Sequence, residues 1–209
     1  MNTHSPPTLV GVPADDKVKP ARERILDAAA AAMREKGLAN TTTKAIAAAA
    51  GYSEAMLYKH FADKQELFVS VLKERVPQVH LDNPGDGELP DNLTGIVEQL
   101  MGYFVQTLPI AASVFGSPEL LAEYRKTVTG RGYGPTGAVY AMQAYLDAEQ
   151  HVGRISAASD TTSAARLLVG AAFHQGFLAA FDGFRTVGNA PAIAAGVVAT
   201  VLPALTVTQ

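Results

Sequence analysis

The chain of 209 residues contains no cysteine. Without thiols it can hold no disulfide, no cysteine nucleophile and no thiolate-ligated metal. Histidine is also scarce. The five, His4, His60, His80, His151 and His174, fall into no metal-ligand spacing, and neither a G-x-S-x-G elbow nor a Walker phosphate loop occurs. No metal and no cofactor is therefore expected. The one glycine pattern, GYGPTG over residues 132–137, matches a dinucleotide fingerprint in its letters alone. No strand pattern precedes it and Pro135 removes an amide that a phosphate would use, so an interhelical loop is expected there. No segment anywhere reads as a strand.

The first twenty residues, MNTHSPPTLVGVPADDKVKP, lack the basic start and long apolar run of a secretory leader, and a cytoplasmic location is expected. Pro6, Pro7 and Pro13 among Ser, Thr and Asp predict a flexible arm over residues 1–20. The formal net charge of −3 argues against bulk attraction to nucleic acid. Its distribution says more. Residues 1–80 carry 11 basic and 9 acidic side chains, a net of +2, whereas residues 81–209 carry 6 and 11, a net of −5. Contact with a polyanion is thus expected in the N-terminal part, and it must be local.

What is abundant is alanine in helical register. In ARERILDAAAAAMREK, residues 21–36, Ile25, Leu26, Ala29 and Met33 share one face while charges occupy the others. Gly37 supplies a stop. Thr41 to Thr43 offer capping hydroxyls for a helix over 44–50, which Gly51 ends. Ser53 can cap a third helix from Glu54 to about Phe61, and Asp63 a fourth through Leu67, Phe68, Val71 and Leu72. Residues 80–92, HLDNPGDGELPDN, read as a hinge. Beyond it Leu93, Val97, Leu100, Met101, Phe104 and Leu108 form a stripe. Ser117 and Pro118 read as the cap and first residue of a helix to about Val128, and further helices are predicted over 138–150, 161–181 and from Pro191 to about Leu205.

After Arg185 the last 24 positions are uncharged. A membrane span needs about 20 apolar residues, and this run is interrupted by Gly196, Thr200 and Pro203, so no membrane partner is expected. A helix apolar on most sides needs partners on most sides, and a second copy of the same helix would supply one. A homodimer is expected.

The stretch TTTKAIAAAAGYSEAMLYKHFADK, residues 41–64, joins two short helices through Gly51-Tyr52-Ser53. Helix, three-residue turn and second helix is the arrangement that lays its second helix in the major groove of DNA. Ala47 is small enough for crossing helices to approach, Gly51 can adopt positive φ, and Ile46, Leu57 and Phe61 can hold the pair against the first helix. Together with QEL at 65–67, the stretch resembles the helix-turn-helix of the tetracycline-repressor (TetR) family of bacterial regulators. Thr42, Ile46-Ala47, Ala50-Gly51, Ser53, Leu57-Tyr58, His60-Phe61, Lys64 and Leu67 carry the resemblance, which covers residues 22–72 in detail. Met56 and Tyr52 depart from the small or hydroxylated and the valine-like residues usual there, so no base preference is implied.

The resemblance implies an all-α fold: a three-helix DNA-binding domain over residues 21–68 and a larger ligand-binding and dimerisation domain over 69–209. It implies phosphate or sugar contacts from Thr42, Thr43, Tyr58, His60 and Lys64, and places Lys44, Glu54, Ala55, Met56 and Lys59 near base edges. These roles are chemically apt, since a glutamate can accept from cytosine N4, a lysine can donate to guanine, and a methyl can pack on thymine. The family's last two helices form the interface between subunits. Gly170, Ala171, Ala172, Gly176, Ala179 and Ala180 suit such packing, and suit an internal core equally. The middle helices would enclose a pocket for a small-molecule effector, with Met101, Phe104, Tyr124, Met142, Tyr145 and His174 as candidate lining residues. The expected function is thus a transcriptional regulator, repressing in the family's commoner manner and released by the effector. The alternatives are an all-helical enzyme or small-molecule binder without DNA, and an interaction module using the uncharged C-terminal helices.

Overall fold

The computed structural model describes residues 19–37, 40–75, 79–116, 118–128 and 134–206, without the side chains at 72, 73, 113, 120, 123, 127 and 128. The chain folds into helices α1 (Ala21–Lys36), α2 (Thr43–Ala50), α3 (Glu54–His60), α4 (Lys64–Glu74), α5 (Leu89–Phe115), α6 (Pro118–Val128), α7 (Gly137–His151), α8 (Thr161–Phe181) and α9 (Ala190–Val201). A 3₁₀ turn at Leu202–Ala204 follows. Among the described residues there is no strand. The N-terminal arm up to residue 18, the Leu72 side chain, the Ser117 cap and Gly132-Tyr133 lie outside them.

Capping fixes where the short N-terminal helices begin. Thr42 accepts from the Ala45 amide at 3.1 Å, Ser53 from Met56 at 3.3 Å and Asp63 from Glu66 at 2.7 Å. Each such cap is worth about 1 kcal/mol. With Thr42 as the cap, α2 starts at Thr43, one residue earlier than periodicity alone predicts. The first four helices close over Ile25, Leu26, Met33, Ile46, Leu57 and Phe61, joined by Leu67, Phe68 and Val71 of α4. Ile110 and Val114, from the far end of α5, complete this core.

A second core fills the rest. The expected stripe on α5 is there in Leu93, Val97, Leu100 and Met101, packed on Met142, Tyr145 and Leu146 of α7, on Leu168 and Ala172 of α8, and on Val198 of α9. By length and composition α8 would suffice to cross a membrane, and it packs against α5, α7 and α9. Helix α5 begins earlier than the hinge reading allows, at Leu89. Pro90 sits in its first turn, where the missing amide costs nothing, and Leu89 is buried. The part of the hinge before it is tied down. Gln99 exchanges hydrogen bonds with the backbone of His80, and the amide of Gly85 donates to buried Glu149, whose carboxylate also pairs with Arg154 at 3.2 Å.

Helices α5 and α8 approach closely at Gly176, where α8 has no side chain. A β-carbon on Gly176 would stand 2.6 Å from Phe104 Cβ and 3.0 Å from the backbone nitrogen of Val105. Gly176→Ala is expected to lower stability by about 1–3 kcal/mol through overpacking, despite the better helix propensity of alanine. Urea unfolding of the two proteins measures the difference; an unchanged midpoint would show that the helices separate at no cost.

Candidate nucleic-acid interface and adjoining cavity

The turn between α2 and α3 depends on Gly51, which closes α2 at φ 80° in the left-handed region that side chains disfavour. Its amide reaches Ala48 O at 3.0 Å and the next amide, of Tyr52, reaches Ala47 O at 2.9 Å. This turn aims α3 so that Leu57 is fully buried while Ala55, Tyr58, Lys59 and His60 are exposed and Glu54 and Met56 half-buried. From the other side of the turn Thr42 and Lys44 are exposed and Thr43 half-buried, and Lys64 is half-buried in the first turn of α4. Phe61 is a core residue, whereas Tyr58 is 47% exposed.

Three of these side chains bond to one another. The Thr43 hydroxyl donates to Glu54 Oε1 at 2.5 Å and accepts from the Tyr58 hydroxyl at 3.4 Å. The proton of Thr43 is therefore committed to Glu54, so that this hydroxyl orients a carboxylate at the start of α3 and could donate to a phosphate only by releasing it. Thr42 differs, since as a cap it accepts from an amide and keeps its own proton to give. The sequence does not single out Arg24. Its guanidinium lies 5.0 Å over the Tyr52 ring, with Nη1 3.5 Å from the Tyr52 hydroxyl, which adds an exposed cation beside the turn. That pair spans 28 residues, so no local pattern signals it.

Ion pairs brace the first and fourth helices behind this face. Arg75, capping α4, donates to Asp27 at 2.7 Å and pairs with Glu23, and Arg22 engages Glu74 through both terminal nitrogens at 2.7 and 2.8 Å. Lys19 donates to Asp27 at 2.9 Å. Hydrogen bonds from Lys19 and Arg75 hold the Asp27 carboxyl below its ordinary value of 3.8, against the opposing effect of partial burial.

A cavity of 440 Å³ adjoins the same helices, lying among α4, α5, α6, the start of α7 and α8. Six aromatic rings line it: Phe68, Tyr103, Phe104, Phe115, Tyr124 and Phe173. Arg166 is the one charged side chain among the described lining residues. Of the residues expected at a pocket, Phe104 and Tyr124 line the cavity and four others do not. Met101, Met142 and Tyr145 are at most 3% exposed within the second core, and His174 is exposed on α8. Met101 belongs to the buried stripe of α5, whereas the cavity opens beside it along Tyr103, Thr107 and Ala111. The Tyr145 hydroxyl accepts from Asn92 at 3.1 Å, and burial and the neighbouring Glu149 push it up to about 12. Among the described residues no group of three or more acidic or histidine side chains could hold a metal ion.

Comparison with known proteins agrees with this geometry. Residues 25–71 match the family described as bacterial regulatory proteins, tetR family. An HTH-type transcriptional repressor of Streptomyces coelicolor is 32% identical over 82 residues, 39% of this chain and 41% of that one. The match thus spans less than half of that repressor's length. The HTH-type transcriptional regulator YvkB of Bacillus subtilis is 30% identical over 144 residues, 57% of this chain and 74% of that one. The crystal structure of the transcriptional regulator FadR from Bacillus subtilis in complex with stearoyl-CoA aligns with a TM-score of 0.64. At 16% identity, over 88% of this chain and 98% of that one, it bears on the fold alone.

The Asp27 clamp makes the head sensitive to acid. A carboxyl whose folded value is depressed stabilises the fold above its ordinary range, and that contribution is lost as pH falls through the folded value. Thermal unfolding followed below about pH 4 should therefore decline more steeply for the native chain than for Asp27→Asn. Parallel curves would show that the clamp contributes nothing.

Proposed function

The chain belongs to the tetR family of bacterial regulatory proteins and carries the helix-turn-helix of its transcriptional regulators, and from that premise we propose that it binds a two-fold operator as a homodimer and leaves it when a small molecule fills the cavity. The observation that carries the reading is the face around the turn. A fully buried Leu57 anchors α3, and on its outer side a carboxylate is held in place by Thr43 beside exposed Lys44, Lys59 and His60. Cations attract the backbone in any sequence, whereas an oriented carboxylate admits a cytosine amino group and rejects a bare acceptor. Glu54 acts in this reading as the filter, with Ala55 and Met56 against base edges. Thr42, Tyr58, His60 and Lys64 hold the phosphates, and Thr43 holds Glu54.

One such face reads only a few base pairs, and a dimer supplies the second. Support for dimerisation comes from the outer side of α8 and its end, where Leu167, Phe177, Phe181 and Phe184 are 46–78% exposed, next to an α9 that has no charge. Soluble proteins seldom leave so many large apolar groups together in water. The domain division at residue 68 is kept in this proposal as a division of labour, although α4 runs unbroken across it. The repressor sense follows the designation of the Streptomyces relative. The relatives and the fold are those of regulators, acting on DNA in the cytoplasm, and a regulator without enzymatic turnover is the reading they favour over a helical enzyme.

Fluorescence anisotropy against one duplex selected from a random pool and against the unselected pool tests the assignment. Lys64→Ala should weaken both and lower the slope of log K against log salt by about one unit, whereas Glu54→Ala should bring the selected duplex and its variants at one base pair closer in affinity. Equal loss on both targets for the Glu54 change would remove its assigned role, and no preference by the native chain would remove the reading itself. Phe181→Glu, in sedimentation equilibrium, should convert a dimer to a monomer; a dimer of unchanged strength would place the interface elsewhere.

A further inference from the structure

We infer that the cavity takes a compact aromatic anion, its rings among the six aromatic side chains and its charge on Arg166. The inference rests on the proposal that this cavity is the effector site, and it adds the chemical class. Three observations lead to it. The first is ring content. Of the 15 Phe and Tyr residues in the chain, six converge on one cavity. They meet edge to face in the pairs Tyr103–Phe104 and Phe104–Phe173, both at 5.3 Å, and Phe68–Tyr124 at 6.2 Å. A planar guest extends such an array by the same edge and offset contacts, which suit rings better than a flexible chain.

The second observation is the balance of donors over acceptors. The Thr107 hydroxyl already donates to the carbonyls of Tyr103 at 2.9 Å and Phe104 at 3.4 Å. Among the described residues nothing bonds the hydroxyls of Tyr103 and Tyr124, and burial pushes both phenols up, so at neutral pH they remain protonated donors. Nor does any described carboxylate lie within ion-pair distance of Arg166. Asp160, the cap of the same helix six residues before it, accepts hydrogen bonds from the amide and hydroxyl of Ser163 at 2.9 and 2.6 Å, and feels the Arg166 charge only as the smallest influence on its carboxyl. Two phenols and a guanidinium with no described lining carboxylate ask the guest for acceptors and a negative charge. Aromatic walls alone could also hold a cation, but Arg166 would repel it.

The third is space. Gly170 lines the cavity one turn from Arg166 and beside Val169, and a β-carbon built on it would meet nothing within 4 Å. The absent side chain therefore leaves room next to the cation, where the charged end of a guest would sit. A volume of 440 Å³ lies at the small end of the range of about 300–1,000 Å³ usual for small-molecule sites.

Calorimetric titration of the full chain with 2-naphthoate, 2-naphthamide and the trimethyl(2-naphthyl)ammonium cation tests the inference. Naphthoate should bind at least about tenfold more tightly than the amide, as a charge-assisted hydrogen bond requires, and the cation more weakly than either. Arg166→Gln should bring acid and amide to the same affinity. Gly170→Leu, which places a side chain in open space and favours helix, should keep the fold and abolish naphthoate binding. Equal binding of acid and amide by the native chain, no saturable naphthoate binding, or a preference that survives Arg166→Gln would each overturn the assignment. Adding naphthoate to the DNA-bound protein separates the two claims. Tight binding of naphthoate without loss of DNA affinity would overturn the effector reading and leave the chemical class standing, whereas intact DNA binding by a chain that ignores naphthoate would overturn the class alone.

Discussion

The contact on which the molecule depends is the insertion of Ile110 and Val114 into the core of the first four helices. Both residues belong to α5, whose other end, from Leu89 to Met101, is the spine of the second core. A single helix of 27 residues thus contributes to both hydrophobic interiors. Packed interiors resist continuous deformation and rearrange between discrete arrangements, so a shift at one end of this helix is felt at the other. Pro109 marks the passage between the two. Its missing amide leaves the carbonyl of Val105 without a helical partner, a local weakness in an otherwise stiff element. The cavity lies at this passage, and Phe68, which lines it, is also a member of the head core and stands edge-on to Tyr124 of α6. A guest that reaches Phe68 touches the head core directly.

The surface proposed to meet DNA is prepared in a corresponding way. Glu54, Thr43 and Tyr58 come from two helices and are joined by hydrogen bonds before any nucleic acid is present. Side chains already held in one geometry lose less freedom on binding, so more of their interaction free energy is available for discrimination. The clamp of Arg75 and Arg22 on the acids of α1 and α4 supports this face from behind. Its pairs are partly solvated and individually weak, and their effect is to fix the register of α4 on α1 more than to stabilise the whole.

Much of the head was legible because its signals are local. Thr42, Ser53 and Asp63 announce helix starts by residue type and spacing, and Gly51 announces the turn. The start of α5 was less so, because Pro90 carries the same letter in a loop and in a first helical turn; what decides is the burial of Leu89, a tertiary fact. The cavity was read least well. Met101, Met142 and Tyr145 have the residue types of a pocket lining, and the fold uses them as filler between α5 and its neighbours, while the wall is formed further along α5, between Tyr103 and Phe115. The exposed position of His174 is illegible for a related reason. Helix α8 is apolar on almost every side, so its periodicity does not reveal which face turns inward. Arg166 and Gly170 acquire meaning only once α5, α7 and α8 are assembled.

Two copies of this chain are proposed to read DNA with two-fold symmetry. Selection of bound fragments from a pool of random duplexes, by the purified protein near physiological salt, tests it most directly. Enrichment of an inverted repeat is expected, with half-sites about 34–36 Å apart or a multiple of that distance. Enrichment of a single unrepeated motif, or none by a folded protein free of small molecules, would contradict it.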